Sequence, residues 1–373
     1  MKPEWTDKPV GEVLQLEYGK PLDDADRKPD GLYPVYGANG EKDRSDRFYV
    51  DRPSIIVGRK GSAGELKLTE EKFWPLDVTY FVTFDERQHD LQFLYYLLST
   101  LDLPRLAKGV KPGINRNEVY SQVTRIPGLP EQRRIVAILD EAFEGIATTK
   151  ANTEKNLQNA RGIFESHLQS IFTQRRDGWI EKRLSEVSIE FGRGRSKHRP
   201  RNDPKLYGGK YPFIQTGDVR NSSHLITSYS QTYNERGLTQ SKLWPKGTLC
   251  ITIAANIAET GILDFDACFP DSVVGVVVNE ELTSTSFLEY LLQSFKAALQ
   301  AQGKGSAQDN INLGTLENQR FPFPTVDEQR SIVKTLTALR EETERLEGIY
   351  RSKTVALNEL EASLLHHAFS GQL

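Results

Sequence analysis

Cysteine is almost absent from this 373-residue sequence, which contains only Cys250 and Cys268. Two cysteines cannot build the disulfide scaffold of a small secreted protein, and neither lies in a paired spacing typical of a metal site. No stretch approaches 18 consecutive apolar residues, and the first five residues carry no apolar run after their charge. The sequence therefore predicts neither a membrane span nor a secretory signal, and we expect a reducing cytoplasm as its compartment.

An excess of charge of one sign is also missing, since 48 basic residues are opposed by 51 acidic residues, giving a net charge of −3. This balance argues against a simple polycationic nucleic-acid binder. The charge is locally uneven, because residues 192–210 contain seven lysines and arginines and a single acid, Asp203. Glycine and proline interrupt this run, so we predict a loop, rather than a helix face, that contacts an anionic partner.

Catalytic motifs are missing as well. The chain has no phosphate-binding Gly-x-x-x-x-Gly-Lys-Ser/Thr and no Pro-Pro dipeptide of the kind found in amino-group methyltransferase sites. Residues 190–195 resemble a glycine-rich cofactor loop but lack its third glycine. A metal-dependent nuclease site formed by Asp51 with Glu65 and Lys67 stays open as an alternative, although the second half of the chain has no equivalent Glu-x-Lys. We predict no catalytic site and no metal site.

What the chain does contain is an internal duplication. Six segments recur in the same order with spacings that differ only by loop-sized amounts. The matched segments are residues 5–13 with 179–187, Tyr33-Pro34 with Tyr211-Pro212, Trp74-Pro75 with Phe269-Pro270, 94–98 with 288–292, Gly113-Ile114-Asn115 with Asn310-Ile311-Asn312, and 131–136 with 328–333. The duplication predicts two domains of similar fold, which also agrees with the length of the chain.

The first part of each copy mixes short β-branched runs with turn residues. Residues 54–57, 79–82, 249–253 and 273–278 are typical of strands, whereas the segments around Leu94 and Leu288 are typical of short amphipathic helices. Each copy therefore predicts an α+β domain.

The second part of each copy predicts a long helix with apolar residues at alternating spacings of four and three, the pattern of a coiled-coil seam. The predicted seam residues are Ile135, Leu139, Ile146, Leu157, Phe164 and Leu168 in the first helix, and Ile332, Leu336, Leu339, Leu346, Leu357, Leu360 and Leu364 in the second. A helix of about 40 residues is about 60 Å long, too long to bury such a stripe on its own domain. We expect the two helices to pair with each other, the alternative being two separate helices that each pack on their own domain.

These residues together resemble the DNA-specificity subunit of type I restriction–modification systems. The resemblance rests on the doubled pattern Trp-x-x-x-x-(Val/Leu)-x-Glu-Val, then Tyr-Pro, a recognition region, a Pro-containing turn, Glu-Gln-Arg-x-Ile-Val and a long helix. Residues 33–40 and 56–64 also resemble the first part of many recognition domains in that family. The similarity covers essentially the whole chain.

The resemblance implies an α+β fold with two duplicated target-recognition domains separated by two long helices that form an antiparallel coiled coil. It places recognition domain 1 at residues 1–129, spacer helix 1 at 130–174, recognition domain 2 at 175–326 and spacer helix 2 at 327–373. The implied function is non-catalytic: the chain reads a bipartite, asymmetric site in double-stranded DNA. It would dock two methyltransferase subunits, which carry S-adenosylmethionine, and motor-endonuclease subunits would then join. The chain itself needs no cofactor.

Basic and amide side chains on loops are the candidates for contact with DNA, because they suit phosphates and base edges. The candidates in the first copy are Lys20, Arg44, Arg59, Lys60, Lys108, Lys111, Asn115 and Arg116; those in the second are Arg193, Arg195, Lys197, Arg199, Arg201, Arg220, Asn256, Lys304, Gln308 and Asn310. We expect the clustered arginines and lysine at 193–199 to contact mainly phosphates. Around Asn256 the second copy lacks the Arg59-Lys60 pair, so Asn256 is the only obvious candidate in that segment.

Two other functions remain as alternatives. A coiled-coil scaffold would bind protein partners without salt-dependent affinity for DNA. A stand-alone nuclease or methyltransferase would be active without added subunits.

Overall fold

The structure is a computed structural model that describes residues 5–174, 177–198, 200, 202–303, 311 and 313–373. The chain divides into two compact units. Unit 1 comprises Met1–Glu154 together with Arg351–Leu373, and unit 2 comprises Lys155–Tyr350. Among the described residues, we find no helix that combines the length and hydrophobicity needed to span a bilayer.

Unit 1 contains an α+β region followed by the start of a long helix. Its elements are β1 (Thr6–Pro9), α1 (Val10–Val13), β2 (Gln15–Tyr18), β3 (Tyr33–Gly37), β4 (Gly40–Ser45), β5 (Ser54–Gly58), β6 (Leu66–Thr69), β7 (Trp74–Pro75), β8 (Thr79–Thr83), α2 (Leu91–Thr100), α3 (Arg116–Tyr120), β9 (Val123–Ile126) and α4 (Leu129–Thr173). The main sheet has the order β2-β8-β5-β6 and is antiparallel throughout. Strands β4, β3 and β7 form a second sheet, and β1 pairs with β9.

Unit 2 repeats this plan. Its elements are β10 (Ile180–Lys182), β11 (Ser188–Arg193), β12 (Tyr207–Phe213), α5 (Thr216–Asn221), β13 (Leu225–Ile226), β14 (Gln231–Tyr233), α6 (Glu235–Thr239), β15 (Leu249–Thr252), β16 (Thr260–Leu263), β17 (Val273–Val278), α7 (Thr285–Ser294), α8 (Lys296–Gly303), α9 (Leu313–Asn318), β18 (Phe321–Phe323) and α10 (Val326–Phe369). The main sheet has the order β11-β17-β15-β16-β13, and β10 pairs with β18 as β1 pairs with β9. The predicted strands and short helices are confirmed in both copies.

The central strand of each main sheet is buried on both faces, which explains its continuous apolar sequence. In β5, Ile55 contributes to one hydrophobic cluster, whereas its neighbour Ile56 contributes to another. In β15, Ile251 packs in the cluster that includes the long helices, whereas Cys250 points to the opposite face. This alternation follows from the two-residue period of a strand.

The long helices α4 and α10 run antiparallel, as the family resemblance implied. In unit 1 the beginning of α4 packs with the end of α10, since Leu139 and Ala368 share a core cluster and Lys150 Nζ lies 2.5 Å from a carboxylate oxygen of Glu361. In unit 2 the end of α4 packs with the beginning of α10, where Leu168 and Leu336 share a cluster.

Most predicted seam residues lose solvent contact. Ile135, Leu139, Ile146, Leu168 and Leu336 are buried, and Leu157, Phe164, Ile332, Leu339, Leu346, Leu357 and Leu364 are half-buried. Leu360 differs, with 47% of its surface exposed. The α-helix has 3.6 residues per turn, so a strict 3.5-residue stripe drifts by about 20° per heptad. By the end of α10 this drift has moved Leu360 out of the seam, and Glu361 faces α4 instead.

A buried glutamine at the start of each long helix explains the repeated Glu-Gln-Arg motif. In unit 1 the Gln132 side chain is fully buried and donates to the carbonyls of Pro127 (2.9 Å) and Gln88 (3.1 Å). Its amide oxygen accepts a hydrogen bond of 2.9 Å from the backbone N–H of Asp90. The glutamine therefore joins α4 to the loop that precedes α2.

Gln329 makes the same joint in unit 2. Its amide nitrogen donates to the carbonyls of Pro324 (3.1 Å) and Leu282 (3.2 Å), and its oxygen accepts a hydrogen bond of 2.8 Å from the Thr283 hydroxyl. Because the motif recurs and its amide nitrogen donates to two backbone carbonyls in each unit, it is a structural joint between each recognition region and its long helix.

Replacing Gln132 with alanine is expected to destabilise unit 1 by about 1–3 kcal/mol, because the buried groups it satisfies lose their partners. Denaturant unfolding measures the loss. Glu141→Ala serves as the control, since Glu141 is exposed on the same helix. Equal stability of the two variants would show that the glutamine does not hold the joint.

Candidate nucleic-acid interface

A tight loop between β5 and β6 carries two of the candidate cations of unit 1. The loop is closed by a hydrogen bond of 2.8 Å from the Gly58 N–H to the Glu65 carbonyl and by one of 2.8 Å from the Gly64 N–H to the Gly58 carbonyl. Gly61 and Gly64 both have a positive φ, which favours glycine. This closure places Arg59 and Lys60 at the end of the main sheet.

The loop between β15 and β16 has the same closure in unit 2. The Thr252 N–H donates to the Glu259 carbonyl at 2.9 Å, and the Ala258 N–H donates to the Thr252 carbonyl at 2.8 Å. Ala255 and Ala258 have the positive φ that glycines have in unit 1. Residues 252–259 therefore correspond one by one to residues 58–65.

A further backbone contact fixes this correspondence. The Ile114 N–H donates to the Arg59 carbonyl at 3.0 Å in unit 1, and the Ile311 N–H donates to the Ile253 carbonyl at 3.0 Å in unit 2. Ile253 thus occupies the position of Arg59, so unit 2 has no cation there. Asn256 corresponds to a serine of unit 1, four residues after the start of the loop.

The neighbouring strand ends also correspond. The Gly19 N–H donates to the Thr79 carbonyl at 3.1 Å, and the Gly194 N–H donates to the Val273 carbonyl at 2.9 Å. The residues that precede these two glycines, Tyr18 and Arg193, therefore occupy equivalent positions. The residue after each glycine matches Lys20 with Arg195 in the same way.

In unit 1 these elements bring together Tyr18, Tyr80, Arg59 and Arg116, which we call the unit 1 corner. The Tyr18 ring lies 5.3 Å from the Arg59 guanidinium and 5.0 Å from that of Arg116, and its centroid lies 5.1 Å from that of Tyr80. Nε and Nη2 of Arg59 both donate to the Asp77 carbonyl, at 3.0 and 2.6 Å. Tyr18 remains 47% exposed, so the stack faces solvent.

The base of the corner is rigid. Tyr80 is buried, and its hydroxyl donates a hydrogen bond of 3.2 Å to the Ile114 carbonyl. Burial raises the pKa of this hydroxyl above its ordinary value, so it stays a neutral donor at physiological pH. Arg116 Nη1 donates to the Leu16 carbonyl at 3.3 Å, which ties the second guanidinium to strand β2.

Two lysines lie on a small hairpin that is hydrogen-bonded to the loop of this corner. Lys108 and Gly113 exchange backbone hydrogen bonds of 3.0 and 3.1 Å, and the hairpin joins the 59–65 loop through Gly61, whose N–H donates to Pro112. Lys111 is exposed near the hairpin tip, as is Lys60 on the adjoining loop. Lys108 forms an ion pair of 2.5 Å with an acidic side chain of α3, so its charge is partly neutralised.

Three other candidates of the first copy have partners of their own within the unit. Arg44 donates to the carbonyls of Gly31 and Leu32 and pairs with Glu41 at 3.0 Å, so it serves the β3–β4 sheet. The Asn115 side chain accepts from a backbone N–H as the N-cap of α3. The Lys20 ammonium nitrogen lies 4.3 Å from the centre of the Tyr49 ring.

In unit 2 the basic segment begins on a strand rather than on a loop. Arg193 is the last residue of β11, and Arg195 and Lys197 follow it as exposed side chains without regular secondary structure. Lys210 likewise lies within β12. Among the other predicted DNA contacts, Arg199, Arg201, Lys304, Gln308 and Asn310 lie outside the described residues.

Two candidate residues of unit 2 are joined by a hydrogen bond. Arg220, near the end of α5, donates a hydrogen bond of 3.3 Å from Nη1 to the Asn256 side-chain oxygen. The sequence positions are 36 residues apart, so only the fold brings the guanidinium and the amide together.

An amide-lined cleft beside the basic segment was not predicted from the sequence. The cleft, of about 330 Å³, is lined by Ser196, Asn202, Tyr207, Phe213, Gln215, Thr216, Gln231, Pro270 and Ser272. Gln215 Nε2 donates to the Gln231 side-chain oxygen at 2.8 Å, and burial raises the pKa of Tyr207 to about 12. Amides suit base edges, but they are too common in loops to have been singled out from sequence.

A buried ionic cluster (Glu289, Arg340, His224 and Gln293) of unit 2 was also not predicted from the sequence. The Glu289 carboxylate is fully buried on α7, and Arg340 of α10 reaches within 3.7 Å of it. His224 Nδ1 contacts the same carboxylate, and Gln293 donates to it at 3.2 Å. The Arg340 guanidinium also lies 4.6 Å from the ring of Tyr290. The cluster connects α10 to the loop after α5.

Both cysteines are buried free thiols, and burial raises the pKa of each above its ordinary value. Within the described ranges, no three histidine, cysteine, aspartate or glutamate side chains are grouped as metal ligands.

Comparison with known proteins identifies the relatives of the chain. The family model described as "Type I restriction modification DNA specificity domain" matches residues 2–159 and 176–351. A putative type I restriction enzyme MjaX specificity subunit from Methanocaldococcus jannaschii is 24% identical over 68% of this chain, and the match spans 64% of that relative. The type I restriction enzyme EcoDI specificity subunit from Escherichia coli is 22% identical over 99% of this chain and 89% of the relative.

Two solved structures share the fold. A chain from a structure described as the basis of complex assembly and conformational transition of the type I R-M system superposes over 100% of this chain and 99% of its own length, with a TM-score of 0.79 at 19% identity. The HsdS subunit from Thermoanaerobacter tengcongensis has a TM-score of 0.61 at 19% identity and covers 99% of this chain and 97% of its own length.

Proposed function

Because the chain belongs to the type I restriction–modification DNA specificity family, we propose that it is the subunit that selects the DNA sequence in such a complex. The family match covers both copies of the duplication, so both units carry the proposed role. The expectation of family and fold made from the sequence is confirmed.

The repeated loop at the end of each main sheet carries this proposal. Residues 58–65 and 252–259 share backbone geometry, yet their side chains differ, with Arg59 replaced by Ile253. A backbone frame that is kept while its side chains change is suited to reading two unlike half-sites. The target is then bipartite and asymmetric.

The remaining parts of the complex follow from this role. We infer that two methyltransferase subunits dock on the chain and bring S-adenosylmethionine, and that motor-endonuclease subunits join them. The α4–α10 pair acts as the spacer between the recognition domains 1–129 and 175–326. Since the substrate is cellular DNA, the expected compartment is the cytoplasm.

Base-resolved methylation mapping tests the proposal. Cells that carry this chain with its methyltransferase partner are expected to methylate a motif of two unlike half-sites separated by unread bases. The purified chain alone, incubated with S-adenosylmethionine, Mg²⁺ and duplex DNA, is expected to show no turnover. Robust turnover by a partner-free preparation would overturn the assignment and favour the stand-alone enzyme.

The exposed lysines are expected to act on affinity rather than on sequence preference. Changing Lys60, Lys111 or Lys197 singly to alanine is expected to reduce the magnitude of the negative slope of log affinity against log salt by about 1, because each change removes one phosphate contact. Titrations of the assembled complex on its mapped site measure the slope. Arg44→Ala is the comparison, since that guanidinium is occupied within unit 1. Unchanged slopes for all three lysine variants would show that these lysines do not contact phosphates.

A further inference from the structure

The corner of each unit carries a guanidinium, but the two units supply it from different elements. In unit 1 it is Arg59, on the loop after the central strand, stacked on Tyr18. In unit 2 the loop position is Ile253, which is buried, and the position of Tyr18 is taken by Arg193. Each unit therefore keeps an arginine at the end of its main sheet, but at a different position of the shared backbone frame.

A second arginine of the unit 1 corner is likewise replaced by an apolar residue in unit 2. Two residues after Ile114, unit 1 has Arg116 at the start of α3, and two residues after Ile311, unit 2 has Leu313 at the start of α9. Arg116 stacks on Tyr18 at 5.0 Å, whereas Leu313 packs against the apolar core of unit 2. Unit 1 thus presents a stack of two guanidinium groups and a tyrosine, and unit 2 presents one arginine at a strand end.

From this exchange, and resting on the proposed function, we infer that Arg59 reads a guanine in the half-site of unit 1 and that Arg193 reads one in the half-site of unit 2. The recognised ligand is the major-groove edge of guanine, with its O6 and N7 acceptors. This assignment separates Arg193 from the neighbouring phosphate-contacting residues, with which the sequence grouped it.

The geometry of Arg59 favours base reading over phosphate contact. Its Nε and one hydrogen of Nη2 are held by the Asp77 carbonyl, and its Cζ lies 5.3 Å from the centre of the Tyr18 ring. Within the described part of the chain, Nη1 and the second hydrogen of Nη2 have no hydrogen-bond acceptor. These are the two parallel donors that a bidentate contact to guanine requires. A guanidinium already fixed in orientation loses little further freedom when it binds.

The lysine next to it has the opposite character. Lys60 is exposed and has no ion pair among the residues that the structure describes. A flexible ammonium group is a point charge without a planar fork, so it suits phosphate. Adjacent residues of one loop are therefore expected to affect binding in two different ways, which makes Lys60 the matched control.

The test is methylation mapping of cells that carry the partner methyltransferase with each chain variant. Arg59→Lys keeps the charge but loses the fork, so we expect discrimination at one G·C position of one half-site to fall by about 5- to 150-fold. Arg193→Lys is expected to relax one G·C position in the other half-site only. Lys60→Ala is expected to weaken binding of the purified complex while leaving the methylated sequence unchanged.

Each outcome decides between distinct explanations. An Arg59→Lys variant that keeps the wild-type motif and loses only salt-dependent affinity would make Arg59 a phosphate contact and overturn the inference. Relaxation at an A·T position would overturn the choice of guanine. If Arg59→Lys prevents assembly, Arg193→Lys still tests the corner independently, in unit 2. A wild-type chain that gives no bipartite motif would instead overturn the proposed function itself.

Discussion

Replacing Arg340 with alanine is expected to destabilise unit 2 by about 3–5 kcal/mol, the largest effect of any single change considered for this chain. The reason is the fully buried carboxylate of Glu289, which would lose the neighbouring positive charge of α10. The guanidinium also contacts the rings of Phe164 and Tyr290, so its removal leaves space between α4, α7 and α10. Hydrogen exchange of the buried β15 amides measures the free energy of opening in this unit.

Two further variants separate the buried charge from a general effect of losing an arginine. Arg345→Ala removes an exposed ion pair with Glu342 on the same helix and is expected to leave stability nearly unchanged. Changing Arg340 and Glu289 together to methionine removes both charges, so most of the lost stability is expected to return. If the double variant is as unstable as Arg340→Ala, the loss comes from packing rather than from a buried carboxylate that has lost its arginine.

The outline of the fold was predictable from sequence because it is encoded in local periodicity. The spacing of four and three residues predicted α4 and α10, and β-branched runs predicted β5 and β15. The drift that exposes Leu360 could not be seen in the pattern, because it accumulates along the real helix. The buried role of Gln132 was hidden as well, since an amide at the start of a helix gives no signal of its partners.

The candidate site was predictable only in part, because sequence shows which cations exist but not which ones are already occupied. Arg44 and Lys60 looked equivalent as basic loop residues. In the structure Arg44 is held by two carbonyls and an acid, whereas Lys60 is exposed beside the corner of unit 1. Competition between internal partners and DNA is decided by distance, which only the fold supplies.

The equivalence of Tyr18 and Arg193 could not be found by aligning the sequences of the two copies. A tyrosine and an arginine share no chemistry that would align them, and the surrounding loops differ in length. The alignment comes from the backbone, since the glycine after each residue donates to the same position of the neighbouring strand. Equivalent positions of two recognition surfaces are expected to show little sequence similarity, because selection for different bases changes the side chains while the backbone of the sheet is kept.

Lengthening the spacer helices is expected to change the gap in the target site without changing the bases read on either side. The structure suggests a paired insertion of four residues after Ala151 in α4 and four after Leu357 in α10. These positions are close to opposite each other, since Lys150 faces Glu361 in the antiparallel pair. An insertion of four residues is a stutter, which locally unwinds a coiled coil but keeps its seam continuous.

Four residues add about 6 Å to each helix at 1.5 Å per residue, close to two base pairs of about 3.4 Å. We therefore expect the methylated motif to keep both half-sites and to gain one or two unread base pairs. The four-residue insertion in α4 alone is the control, because it shifts the seam of one helix against the other. That variant is expected to lose assembly or methylation rather than to lengthen the gap.

Methylation mapping distinguishes a spacer from a passive linker, because it gives the half-sites and the gap in one measurement. Helices that set the gap must transmit their added length, so the paired insertion has to change the gap while Arg59 and Arg193 continue to specify their positions. Altered half-site bases with an unchanged gap would show that the helices contribute to recognition instead of spacing. An unchanged motif would show that the insertion is absorbed within the helix pair, and the spacer role of α4 and α10 would then be rejected.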